Sequence, residues 1–369
     1  MMLGYYARAG AAVTVLIAAV TVGLAPQGAA QGAPQGQASR VAVLTGAESL
    51  NATEARYRIK GTDLGIMWTD ERGRILVAFG DTFGAGWTGP GSEVGNPAAV
   101  DWRSNTLARS SNRNLADGMV FDGFVTDYPG HAKELLPSLK RDGGEISKIP
   151  TGGVSVGGRN YLAYMSVRHF GQPGRWITNY SGVAYSDDGG QTWVDAPSAL
   201  RPNIPGGDEN FQMIAYARRD GFVYAFGTPN GRFGDARLAR VPEQRLLDKS
   251  AYEYWTGKAW QPGSSAIAAP IVAGPVGELS VRYDQTLAHW EMMTMDELRG
   301  AIMVRLAPQP TGPWGAPIPV ATSRQYPALY GGFLHPDSQG PDLYFTMTQY
   351  DRYNVSLMHA TLPTSAPAP

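Results

Sequence analysis

The chain has 369 residues, with 31 basic and 32 acidic side chains interspersed to a formal net charge of −1, and no cysteine. Without a basic run, nucleic acid and anionic lipid are excluded as expected partners. Without cysteine there is no disulfide scaffold, thiolate nucleophile or cysteine-ligated zinc, so stability must come from a core.

Arg8 precedes an apolar run from Ala9 to Leu24, with small residues at Gly28, Ala29 and Ala30. This is the pattern of a secretory signal peptide over residues 1–30 and predicts a secreted or cell-envelope protein. The alternative is an uncleaved N-terminal anchor, because the run is near the shortest length that spans a bilayer. Residues 31–39 read as a disordered linker and 363–369 as a disordered tail, which leaves residues 40–362 as one folded unit.

The first strands frame the most informative feature. Gly61-Thr62-Asp63-Leu64-Gly65 enters an apolar strand, a polar turn follows at Asp70–Arg74, and a second strand leaves through Phe79-Gly80-Asp81-Thr82-Phe83-Gly84. Each aspartate sits among glycines and apolar residues, where a charge is expensive unless it is used or paired. An antiparallel hairpin puts both at one end, and two carboxylates facing one cleft are what glycosidic bond cleavage requires.

Farther along, the same arrangement returns. Strands Ile75–Phe79, Tyr161–Met165, Phe222–Phe226, Trp290–Thr294 and Leu343–Met347 are each preceded by one strand, from Asp63, Thr151, Asn210, Glu278 and Gly331. Each is followed by another, at 105–110, 181–186, 236–241, 301–306 and 354–360. Helical periodicity is confined to short candidates at Val241–Lys249 and His131–Leu139. This repetition predicts an all-β fold, a single-domain five-bladed β-propeller, in preference to a two-sheet sandwich. Arg40–Leu44 is the candidate outer strand that closes the ring. Ser186-Asp187-Asp188-Gly189-Gly190-Gln191-Thr192-Trp193 fits the Asp-box turn of sialidase-like propellers, where Asp188 is structural rather than catalytic.

In such a ring the starts of the inner strands face a central funnel. Here they carry Asp63, Thr151, Asp208-Glu209-Asn210, Glu278 and Tyr330 through His335, with Asp81 reaching the same face. Acids, hydroxyls and aromatics together suit a sugar. Each also has a bland reading. Asp63 and Asp81 can be turn residues, and Glu278 can pair with Arg282 four positions on. Asp208 and Glu209 can belong to a loop, His335 can be fixed by its surroundings, and Trp102 and Asn105 are weak sugar contacts. Gly153-Val154-Ser155-Val156-Gly157 matches a serine-hydrolase string, but a strand follows it where a helix is needed. No metal, phosphate or dinucleotide motif occurs, so no cofactor is expected, and a structural cation has no ligand spacing to support it.

Through Gly61–Gly65 and Phe79–Phe83, the chain resembles a family of exported actinobacterial proteins long labelled a domain of unknown function. Members of that family are recognised as endo-D-arabinofuranases. Gly277–Arg282, Gly312-Pro313-Trp314, Tyr330–Pro336 and Leu343–Gln349 extend the resemblance. It implies a five-bladed propeller, hydrolysis of internal α-D-arabinofuranosyl linkages in mycobacterial-type arabinogalactan and lipoarabinomannan, and Asp63 and Asp81 as the catalytic carboxylates. Thr151, Glu278, Arg282 and His335 are the expected substrate-binding residues, with Asp81 as acid and Asp63 as base or nucleophile. The competing readings are a non-catalytic propeller that binds cell-wall glycan and a sialidase-like enzyme, for which no arginine triad is recognisable.

Overall fold

The structure, a computed structural model, describes residues 36–363. The predicted signal segment, most of the linker and nearly all of the tail lie outside the described residues.

Five antiparallel sheets follow one another along the chain. Their inner strands are Gly61–Thr69, Ser147–Val156, Met213–Arg219, Leu279–Asp284 and Leu329–Leu334. Their second strands are Ile75–Phe83, Arg159–Phe170, Phe222–Thr228, His289–Asp296 and Asp342–Gln349. Their third strands are Thr106–Ser110, Trp176–Ser186, Gly234–Pro242, Ala301–Ala307 and Asn354–Thr361. Each inner strand adjoins the next around the circle, and the fifth returns to the first. The fold is a five-bladed β-propeller, as the repeated strand pattern predicts.

Apolar residues run almost without interruption along many of these strands, as in Ile75–Phe79, so both faces of each blade must be covered. The core accordingly divides into five clusters, one in each wedge between neighbouring blades. Trp68 and Leu76 of blade 1 meet Leu162 and Tyr164 of blade 2, and Val77 and Phe79 close the circle against Val355 and Leu357 of blade 5. Near the axis there is no room for side chains everywhere. A Cβ at Gly152 would lie 2.3 Å from the carbonyl oxygen of Ile214 on the neighbouring inner strand, so glycine permits that approach.

Strand Ser39–Val43 pairs with Asn354–Thr361 and supplies the outer edge of blade 5. The ring is therefore closed by the two ends of the folded chain. Ordered structure begins before the predicted residue 40. The Gly36 N–H donates to the Thr361 carbonyl, and the Ala38 N–H donates to that of Val320 at 2.7 Å, with Ala38 fully buried.

The two predicted helices do not form. Val241–Lys249 yields only a 3₁₀ turn at Glu243–Arg245, with a second at Lys249–Ala251. In His131–Leu139, the Asn105 side chain takes over the backbone groups a helix would use. It accepts from the Leu135 and Leu136 N–H groups and donates to the Leu136 carbonyl. That network also removes Asn105 from the candidate sugar contacts. The described α-helix, Thr53–Tyr57, has five residues and lacks a sequence signal. No helix among the described residues is long and apolar enough to cross a membrane. The Asp-box turn is as expected: Asp188 accepts from Ser186, the Gln191 and Thr192 N–H groups and the Thr192 hydroxyl at 2.6–3.0 Å.

Candidate active site

The first inner strand is irregular where it matters. Its register against Ile75–Phe83 slips between Thr62 and Leu64 and again between Leu64 and Ile66. Leu64 takes φ +70° and Gly65 φ +89°. A bulky residue in that left-handed region costs on the order of 1–3 kcal/mol and needs support from its surroundings. The Leu64 N–H finds it in Thr348 Oγ1 of blade 5 at 3.0 Å. A bulge of this kind re-aims one side chain, and here that side chain is Asp63.

Asp63 and Asp81 line the same cavity, of about 480 Å³, in the mouth of the ring. The Tyr330 hydroxyl donates to Asp63 Oδ2 at 2.9 Å, while Oδ1 is buried without a partner. Asp81 is 2% exposed, and its Oδ1 accepts from Trp102 Nε1 at 2.7 Å and Ser147 Oγ at 2.6 Å. Removal from water pushes both carboxyls up. Asp63 rises to about 8, with the Asp81 charge adding to burial and the Tyr330 and Tyr353 phenols opposing it. Asp81 rises to about 6, with burial opposed by the Ser147 and Trp102 donors and by the Lys140 charge. Between those values the pair holds one proton.

Glu278 and Thr151 also line the cavity. Glu278 is gripped by Arg232, whose Nε and Nη2 donate to its carboxylate at 3.0 and 2.8 Å, and Arg232 Nη1 reaches Glu297 at 2.9 Å. Thr151 Oγ1 accepts from the Ile214 N–H, which ties it to the neighbouring blade.

Arg282 and His335 do not join them. Four residues of strand run about 13 Å, too far for Glu278 to reach Arg282. Arg282 lines a second opening at the far end of the axis and pairs there with Glu291 and Asp284. His335 is fully buried beyond the inner strand Leu329–Leu334, and its Nδ1 accepts from the Asp337 N–H at 3.1 Å. Burial foremost, with Arg113 and Arg282 adding, pushes its pKa down to about 3, so the ring is neutral. Asp208 is held by Arg201 and Lys249, away from the cavity.

Trp102, read above as a weak sugar contact, instead donates to Asp81 and carries the Lys140 ammonium 5.3 Å over its ring. Ser147, Tyr353, Arg232 and Trp176 complete the surroundings without having been predicted. Asn230-Gly231-Arg232-Phe233-Gly234 reads as an ordinary turn, and nothing local marks its arginine as a partner for Glu278.

Fold and site together define a five-bladed propeller with two carboxyls, both pushed up by removal from water, in its funnel. The chain belongs to the family described as a domain of unknown function (DUF4185), whose model matches residues 48–359. It is 33% identical over 316 residues to notoamide biosynthesis cluster protein J of Aspergillus sp. (strain MF297-2), covering 80% of this chain and 81% of that protein. It is 23% identical over 319 residues to an uncharacterized 35.9 kDa protein in the asd 3′ region of Mycolicibacterium smegmatis, covering 80% and 88%. Among solved structures it resembles a family 117 glycoside hydrolase produced by Zobellia galactanivorans, with TM-score 0.52, 12% identity and coverage of 91% and 93%. It also resembles the catalytic domain of the Coprinopsis cinerea GH62 α-L-arabinofuranosidase, with TM-score 0.50, 12% identity and coverage of 90% and 99%. At these identities the structural likeness concerns the fold.

Proposed function

We propose that the protein is a secreted or cell-envelope glycoside hydrolase that cleaves internal α-D-arabinofuranosyl linkages of cell-wall arabinan, with Asp63 and Asp81 as its carboxylates. The observation that carries this reading is that two carboxyls of unlike proton affinity, Asp81 buried and Asp63 half-buried, share one cavity. A glycosidase needs one carboxyl protonated and one ionised at working pH, and environments that push two carboxyls apart supply that. The propellers it resembles in fold include glycoside hydrolases, which supports the scaffold as suitable. The arabinan substrate rests on the resemblance of the Asp63 and Asp81 segments. The name of the fungal relative adds no sugar.

The free site favours the reverse of the proton assignment made from sequence. An indole N–H can only donate, so Trp102, joined by Ser147, stabilises charge on Asp81. Asp63, next to that charge, keeps its proton. Asp63 therefore acts as general acid toward the leaving oxygen, and Asp81 serves as base or nucleophile.

The test is incubation of the protein with mycobacterial-type arabinogalactan, scored by new reducing ends. Wild type is expected to release oligoarabinosides, with Asp63→Asn and Asp81→Asn each falling by about 10²–10⁴-fold. An aryl arabinofuranoside with a good leaving group should restore much of the loss in Asp63→Asn and little in Asp81→Asn. Arabinan bound without reducing ends over prolonged incubation would leave a glycan-binding propeller. The opposite substrate response would return the acid role to Asp81.

A further inference from the structure

Arg232 sits on the loop between the second and third strands of blade 3, yet it touches residues of three other blades. Its guanidinium is forked onto Glu278 and reaches Glu297, both of blade 4. It lies 5.2 Å from the ring centroid of Tyr330 in blade 5 and 5.7 Å from that of Trp176 in blade 2. Its backbone N–H donates to the Gly174 carbonyl at 2.9 Å. The Tyr330 ring that it faces carries the hydroxyl donating to Asp63.

The geometry points to Arg232 as a positioning residue that sets the proton affinity of Asp63 through Tyr330, an inference that rests on the hydrolase reading of the same site. Two physical effects act in the same direction. A cation over a phenol ring draws on its electrons and fixes its plane, so the hydroxyl donates more strongly to the carboxylate. The same guanidinium offsets Glu278, whose charge otherwise helps Asp63 retain its proton. The groups that bear on Asp63 are Asp81, Tyr330, Tyr353 and Glu278. Glu297 bears on Arg232 alone among the contacts described. Arg232 is thus the cation that keeps an acid-rich funnel from locking the Asp63 proton in place. A catalytic acid must release that proton as readily as it holds it.

Arg232→Lys keeps the charge but loses the planar fork and the stacking geometry, so it separates position from charge. The alkaline limb of kcat/KM for arabinan hydrolysis should move up by about one pH unit, with the acidic limb unmoved. In a Tyr330→Phe background the same substitution should shift that limb by much less. Glu278→Gln, a second variant in case Arg232→Lys folds poorly, should move the limb down, because the guanidinium charge is then less opposed. A limb unchanged in Arg232→Lys, or a shift of equal size without the Tyr330 hydroxyl, overturns the proposal. The Asp63 carboxyl can also be titrated by ¹³C NMR in aspartate-labelled protein, assigned against Asp63→Asn. If wild type hydrolyses no arabinan, the function proposed above falls, while this titration still decides whether Arg232 governs Asp63.

Discussion

A Cβ on Gly80 would lie 2.3 Å from Oδ1 of Asp63, so the second strand of blade 1 leaves out a side chain where the first strand places its carboxyl. The next obstruction, Leu64 Cδ1, stands at 3.1 Å. Because the first obstacle is the end of a side chain rather than backbone, Gly80→Ala should fold and push the carboxyl aside. Displacement of a reacting group by an ångström costs about 10²-fold in rate. The expected result is kcat/KM down by about that factor with a melting temperature close to wild type. Unchanged activity would mean that Asp63 works from another position.

Activity should be bell-shaped in pH. The acidic limb belongs to Asp81, which must be ionised, and falls near 6. The alkaline limb belongs to Asp63, which must be protonated, and falls near 8. In Trp102→Phe, Asp81 loses a donor to its charged form, so its limb should move upward and narrow the bell. Profiles of kcat/KM for both proteins check this. A downward move of the acidic limb would contradict the hydrogen bond's role.

The raised carboxyls also tie stability to pH. Asp63 has a folded pKa of about 8 against an ordinary 3.8, so across that interval the folded protein binds the extra proton. Stability from this group is complete below the ordinary value and is lost as pH rises through the folded one. Asp63→Asn carries no titrating charge there. Its melting temperature relative to wild type should therefore climb with pH and level off above about 8. A difference that stays constant with pH would mean that Asp63 is not held protonated.

Much of the blade order is legible in the sequence because each strand carries its own apolar pattern, as in Phe222–Phe226 or Leu343–Met347. Asp63 and Asp81 stand out for the complementary reason, as charges placed where local pattern calls for none. What surrounds them is not legible. Arg232 and Glu278 are 46 positions apart and meet only because blades 3 and 4 adjoin. Ser147 reaches Asp81 from blade 2, and Tyr330 and Tyr353 reach Asp63 from blade 5. Local spacing offered Arg282 to Glu278 instead, and strand rise defeats that pair. The helix expected at His131–Leu139 fails through Asn105, likewise distant in sequence.

Closure of the ring by the N-terminal strand gives a last expectation. Ser39–Val43 covers the outer edge of Asn354–Thr361, and Ala38 packs with Met358, Ala360 and Leu362 in the wedge between blades 4 and 5. Removing residues through Val43 would strip the backbone pairing from that strand and open an apolar cluster. An uncovered edge strand is a template for pairing with other chains. Blade 5 also carries Tyr330 and Tyr353, whose phenols bear on Asp63, so loosening it should disturb the funnel at that carboxyl. The truncated chain should therefore melt at least several degrees lower and aggregate with rising concentration. It should also lose hydrolysis at temperatures where its far-ultraviolet circular dichroism is still that of a β protein. Full activity with an unchanged melting temperature would mean that the three remaining strands hold blade 5 unaided.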